Sequence, residues 1–200
     1  MIKEALVTLR DELEVYLEQV NSDATPPEGF IVLSNVAKQD GSWAIPDDRI
    51  GMSLINIEEE RVFKEQRFNY RNDAGNIEQY NPEIKLNLYV LFCTNYVNTS
   101  TSDMNYKEGL KQISNIVAFF QGKNVFTPAN TPAMDANLHQ LIVELYSYTF
   151  EQQYNFWSIL GAKYLPSVLY RVRLVTFQEK RLLNQNQPII TLDITGTTVV

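Results

Sequence analysis

Apolar and polar positions alternate along the chain with two different periods, and the changes of period mark out its elements. Residues 2 to 20 place Ile2, Leu6, Leu9, Leu13, Leu17 and Val20 three and four apart, the spacing of an amphipathic helix. "NSDATPPEG" ends it, because Pro26 and Pro27 cannot continue a helix and Gly29 frees the backbone. "FIVLSNVA" reads as a short buried strand. In residues 50 to 64, "IGMSLINIEEERVFK", a period of two sets Leu54 on one face and Ile55, Ile57 and Phe63 on the other. From Glu58 to Arg61 both faces carry charge, so this strand is expected to run past the core. "RNDAGN" then supplies a turn through Asp73 and Gly75, and the chain returns as "EIKLNLYVLF". The expected unit is a long hairpin whose outer half, residues 58–82, projects from the domain. A mobile loop is the alternative.

The return strand alternates strictly. Ile84, Leu86, Leu88, Val90 and Phe92 share one face, with Lys85, Asn87, Tyr89, Leu91 and Cys93 opposite. A helix is expected over 103–121 with Tyr106, Leu110, Ile113, Val117 and Phe120 as its apolar stripe, Ser102 as cap and Gly122 as stop. After the Pro-punctuated "NVFTPANTPAM", "LHQLIVELYSY" reads as a strand with Leu141, Val143 and Leu145 toward the core and Ile142, Glu144 and Tyr146 opposite. Thr149 and Gln152 form a capping-box pattern for another helix, Gly161 fits the position just past its end, and Pro166 holds Leu165 extended. The next strand faces the core with Val168, Tyr170, Val172 and Leu174, and turns Leu169, Arg171, Arg173 and Val175 away. Residues 179–200, ending "PIITLDITGTTVV", read as a final strand. Helices interrupt the strands without regular βαβ repetition. The expected class is therefore α+β, one domain over residues 1–200, with a mixed, mainly antiparallel sheet and about three helices.

Composition narrows the function classes. The chain has 200 residues and a formal net charge of −7, which does not suit a protein that wraps phosphate backbones, and no Lys/Arg cluster of that kind occurs. No nucleic-acid partner is expected. One cysteine allows no intrachain disulfide. The first twenty residues carry charge throughout, unlike a signal peptide, and the apolar runs are too short to span a bilayer. A soluble protein made in the cytoplasm is expected, without membrane insertion.

Catalytic patterns are missing. GxGxxG, the phosphate loop, HExxH, CxxC and GxSxG do not occur, and one His with one Cys is a poor supply of zinc ligands. Cys93 and His139 could pair as an activated nucleophile, but a lone strand Cys is more often a small buried hydrophobe. Of Glu58, Glu59 and Glu60, only Glu58 and Glu60 can share a face of a strand, which fits a solvated or interfacial surface better than acid–base chemistry. No cofactor and no enzymatic activity are expected.

Arg171 and Arg173 say more. They stand about 7 Å apart on one face of a strand whose other face is core. Either they pair with Glu144 on a neighbouring strand, or their face lines a subunit interface where arginine grips carboxylates in bidentate fashion. Trp157 suits the core, whereas Tyr154 and Tyr164 are of a type enriched at interfaces.

"LINIEEER", "LNLYVLFCTNY", "YKEGLKQISNIVAFFQ" and above all "WSILGAKYLPSVLYRVRLV" resemble the cap, or tail-terminator, family of extracellular contractile injection systems. These are phage-tail-like particles such as antifeeding prophages and virulence cassettes. The resemblance runs from the first helix to about residue 178. It implies an α+β subunit that forms a sixfold ring on the distal end of an inner tube and its sheath and stops their growth. Its partners would be itself and the tube and sheath proteins, in a particle released or membrane-anchored. Some members carry a further C-terminal domain, whereas this chain ends soon after the core. On this reading the candidate contacts are Glu58, Glu59, Glu60, Arg61, Glu144, Arg171 and Arg173. Another assembly adaptor of the same particle, a small-molecule binding module and a Cys93–His139 hydrolase remain as alternatives.

Overall fold

The computed structural model describes residues 1–21, 26, 28–60, 69–73, 75–81, 84–96, 102–177 and 184–186; for 69–70, 102–103, 174–177 and 184–186 it describes the backbone only. The elements in chain order are α1 (Ile2–Val20), β1 (Ile31–Leu33), β2 (Arg49–Glu59), β3 (Asn69–Arg71), β4 (Ile77–Gln79), β5 (Ile84–Asn95), α2 (Ser102–Gly122), β6 (Val125–Phe126), β7 (Leu141–Leu145), α3 (Phe150–Leu160), β8 (Ser167–Phe177) and β9 (Asn184–Asn186). Six strands form one sheet in the order β1-β2-β5-β8-β7-β6, and β3, β4 and β9 form a second. Among the described pairs of this sheet only β1–β2 is parallel, so the sheet is mixed and mainly antiparallel, and the class is α+β.

The six-stranded sheet is covered on both sides. One face meets α1 and α2 through Leu88, Val90 and Phe92 of β5, Ile50 and Met52 of β2, and Tyr170 and Val172 of β8. Phe92, Phe119, Phe120, Phe126 and Tyr170 stack there with ring centres 4.6–6.4 Å apart. The other face meets α3 and the 36–45 loop through Tyr89, Leu91, Cys93, Leu169, Trp157 and Ile45. That double cover explains why β5 is apolar on both parities over its second half.

α1 buries Ala5, Leu9, Leu13 and Leu17 as its spacing predicts, while Val20 at the end of the stripe emerges into water. Its Glu14 carboxylate accepts the backbone N–H groups of Phe30 and Ile31 and so covers the outer edge of β1. α2 departs from expectation. Its buried side is Gly109, Gln112, Ile116, Phe119 and Phe120, with Ile113 half-buried, whereas Tyr106 and Leu110 are exposed. Two things turn the helix. A Cβ on Gly109 would lie 3.1 Å from Thr94 Oγ1, so glycine permits close approach to β5. Buried Gln112 exchanges side-chain hydrogen bonds with buried Asn21 at the end of α1, so a polar residue occupies the core stripe at little cost. The Ser102 cap lies outside the described side chains.

α3 follows its local signals. Thr149 and Gln152 make both bonds of the capping box, and Gly161 ends the helix with φ 64°. Trp157 is buried as expected, while Tyr154 and Tyr164 face water.

β2 and β5 form the long hairpin, paired from Arg49–Asn95 to Glu59–Leu86. Beyond it β3 and β4 pair about the Asn72–Asn76 turn, with Gly75 at φ 85°. No described residue of the small sheet belongs to either core cluster. The expected strand over 188–200 lies outside the described residues; the described part of the C-terminal segment is β9, paired with β4. Among the described residues no helix is long and apolar enough to cross a membrane.

Candidate assembly interface

The sequence places Leu54 and Ile57 on opposite faces of β2, and the structure corrects this. Leu54 pairs with Val90 but Asn56 pairs with Tyr89, so Ile55 is an extra residue in a β-bulge. After the bulge Ile57 pairs with Leu88, on the side of Leu54, while Glu58 pairs with Asn87. One inserted residue therefore carries Glu58 and Glu60 across the sheet, onto the face that bears Tyr89 and the β8 arginines. Without it both carboxylates would lie on the helix-covered side.

There they join a network across four strands. Tyr89 donates its hydroxyl to Glu58 Oε2 at 2.6 Å, and Asn87 Nδ2 donates to Glu60 Oε2 at 3.1 Å. Arg171 Nη2 donates to Glu144 Oε2 at 2.6 Å, and Arg173 Nη1 to Glu144 Oε1 at 3.1 Å. Arg173 Nη2 lies 3.8 Å from Glu60 Oε2. Register fixes the arrangement, since Glu144 pairs with Arg171 and Ile142 with Arg173 across β7 and β8. Glu59, one residue off in parity, pairs with Leu86 and points the other way. Arg61 lies outside the described residues.

The electrostatics follow from this geometry. The Arg171 hydrogen bond holds the Glu144 carboxyl below its usual range, and the same bond raises the Arg171 guanidinium. Burial, helped by the bond to Glu58, pushes the Tyr89 phenol up to about 12. Pairing with Glu144, one of the two readings of the arginines, is thus realised within the subunit. Arg171 Nε and Asn87 Oδ1 remain buried without a partner among the described residues. Asn87 and Tyr89 had only their strand parity to mark them, which the ordinary core residues Leu91 and Cys93 share.

Cys93 and His139 share no hydrogen bond among the described residues, and the Cys93 thiol bonds to the Gly51 carbonyl instead. Cys93 is fully buried, and desolvation pushes its thiol up to about 12, which keeps the nucleophilic thiolate scarce. His139 is exposed just before β7. Among the described residues no group of three or more His, Cys, Asp or Glu side chains could hold a metal ion.

This mixed sheet between a helix pair and a third, aromatic helix is an α+β fold similar to that of solved tail-terminator structures. Residues 5–191 match the Pvc16 N-terminal domain, and the chain belongs to that family. Among solved structures it is similar to the sheath/tube terminator of the extracellular contractile injection system PVC in its extended state. The TM-score is 0.66 at 10% identity, covering 100% of this chain and 64% of that one. It is also similar to the tube-terminating cap of the anti-feeding prophage, with TM-score 0.56 and 12% identity over 94% of this chain and 60% of the other. The chain thus spans less than two thirds of the length of the solved chains it matches. No curated protein matches it by sequence. The resemblance read from the sequence is borne out in family and in fold.

Proposed function

We propose that the chain is the structural unit of a cap that ends the inner tube and sheath of a contractile injection particle, and that it acts without catalysis. The supporting observation is the correspondence of its full length to a sheath/tube terminator at TM-score 0.66. Copies of the chain, six on the family resemblance, form a ring on the distal end. One surface copies a tube or sheath contact, and the exposed surface lacks what would recruit another layer. Stopping growth in this way needs only occupation of the polymerising end.

Within that reading, residues 1–200 act as one cap domain. The 58–82 segment reaches a neighbouring component, and 179–200 acts as a C-terminal strand, of which Asn184–Asn186 pairs with β4. The face carrying Glu58, Glu60, Glu144, Arg171 and Arg173 contacts tube, sheath or the next copy, and Glu59 and Arg61 contribute to the contacts of the 58–82 segment. A prearranged set of paired charges suits a specificity-setting contact, because a partner must match it or leave charges unpaired. The test is deletion of the gene in a particle-producing host, with tube and sheath lengths recorded by electron microscopy. Uncontrolled lengths or open, unstable sheaths are expected. Uniform, intact, capped particles would overturn the proposal.

A further inference from the structure

The stripe of α2 that its sequence marks as apolar differs from the stripe that the fold buries, and the difference opens a groove. Turning the helix onto Gly109 and Gln112 leaves Tyr106 54% exposed. Beside it Tyr96, Tyr106, Gly109, Tyr164 and Pro166 line a cavity of about 340 Å³. In the first half of α3, away from Tyr164, stand two exposed rings: Phe150 is 91% exposed and Tyr154 74% exposed. They lie four residues apart, on one face of the helix.

We propose that Phe150 and Tyr154 of one copy insert into the Tyr96–Tyr106–Tyr164 groove of the next. This rests on the ring reading above and names the contact that builds the ring. Size supports it: a cavity of about 150 Å³ holds one benzene ring, so the groove has room for the two rings that α3 presents. Charge supports it as well. Lys163 is exposed beside Tyr164 at the groove and Glu151 is exposed beside Phe150 on the helix, and neither forms an ion pair among the described residues. On a chain of net charge −7, whose copies repel one another, a local plus-to-minus match favours this surface over others. The two surfaces differ, so the contact is head-to-tail, the kind that closes into rings rather than stopping at a symmetric dimer.

The test is sedimentation velocity on the full chain over a range of concentrations. Phe150→Glu with Tyr154→Glu removes the inserted rings, and Tyr106→Glu blocks the groove. All three positions are exposed, and a circular dichroism melt checks the fold; the same positions changed to Ser replace any variant that unfolds. The wild type is expected to form rings and each variant to be monomeric, with its dissociation constant raised at least tenfold. An equimolar mixture of the two variants is expected to give dimers and nothing larger, since each variant keeps one intact surface. Lys163→Glu and Glu151→Lys are each expected to weaken the ring and together to restore it. Rings that persist in both variants overturn the contact while leaving the ring reading intact. A mixture that stays monomeric, or a wild type that never associates, also overturns the contact. The terminator role is decided separately by the deletion phenotype.

Discussion

The α3 side of the sheet is built in two ways from the same strands. Toward Cys93 it is dry: Leu91, Cys93 and Leu169 lie under Trp157, Leu165 and the 36–45 loop. Toward Asn87 the same β5 and β8 offer Asn87, Arg171 and Arg173, and charge pairing with Glu60 and Glu144 replaces the covering layer. Tyr89 stands on the border, its ring edge-on to Tyr146 at 5.0 Å and its hydroxyl on Glu58. A strand face takes its chemistry from what lies over it: where α3 covers the sheet, polar groups would be stranded, and where it does not, apolar ones would be left in water. The ionic half is thus a surface whose charges the subunit pairs within itself and holds in fixed positions.

Breaking the dry half should cost most. Trp157→Ala empties the centre of the second cluster and is expected to lose about 3–5 kcal/mol in denaturant unfolding. Trp157→Phe sharpens the point. It keeps most of the ring and removes a buried indole N–H that has no partner among the described residues, so its loss should be well under half that of the alanine variant. Equal losses would mean that the indole's full volume, rather than apolar burial, holds α3 down.

Reversal of Arg171 and Arg173 to Glu is the next largest change. The two residues are among the candidate contacts, and the structure adds a cost within the subunit itself, because the variant would gather five carboxylates, Glu58, Glu60, Glu144 and the two new ones, on one face. Both arginines are partly exposed, at 34% and 22%, so screening tempers the cost to about 2–4 kcal/mol, below that of breaking a fully buried pair. Unchanged stability of the isolated chain, measured by thermal unfolding at low salt, would show that the pairs do no more than decorate the surface.

How much of this was legible beforehand depends on range. The α3 caps, Gly161 and the parity of Arg171, Arg173 and Glu144 are local features, and the sequence states them directly. The core of α1 and the helix-facing parity of β5 follow from period, whereas the second cover of β5 came from the structure. Two further things were not readable. The bulge at Ile55 leaves no mark, because "LINIEEE" puts apolar residues and then glutamates on both parities and so reads alike whether or not one residue is extra, and the meeting of Glu58 and Glu60 with β8 was hidden. The rotation of α2 depends on the Asn21–Gln112 bond, which joins residues 91 positions apart. A helix stripe read by hydrophobicity alone cannot include a glutamine whose partner lies so far away.

The finest cut through the ionic half is Glu144→Gln, which keeps the side chain's shape and removes its charge. At neutral pH the expected loss is about 1 kcal/mol, because a third of the group faces water and one guanidinium keeps the amide oxygen as acceptor while the other meets the amide NH2. The pH dependence carries more information. Arg171 holds the folded-state Glu144 below the ordinary carboxylate value, so the folded chain resists protonation more than the unfolded chain does. The stabilisation is therefore complete above about pH 4.5, the unfolded range, and is lost as pH falls through the lower folded value. The difference between wild type and Glu144→Gln should stay level from pH 8 to about 5 and then shrink on further acidification. A difference that persists unchanged into acid would assign the loss to shape rather than charge. The ionic half would then owe its order to the strands beneath it, as the dry half does.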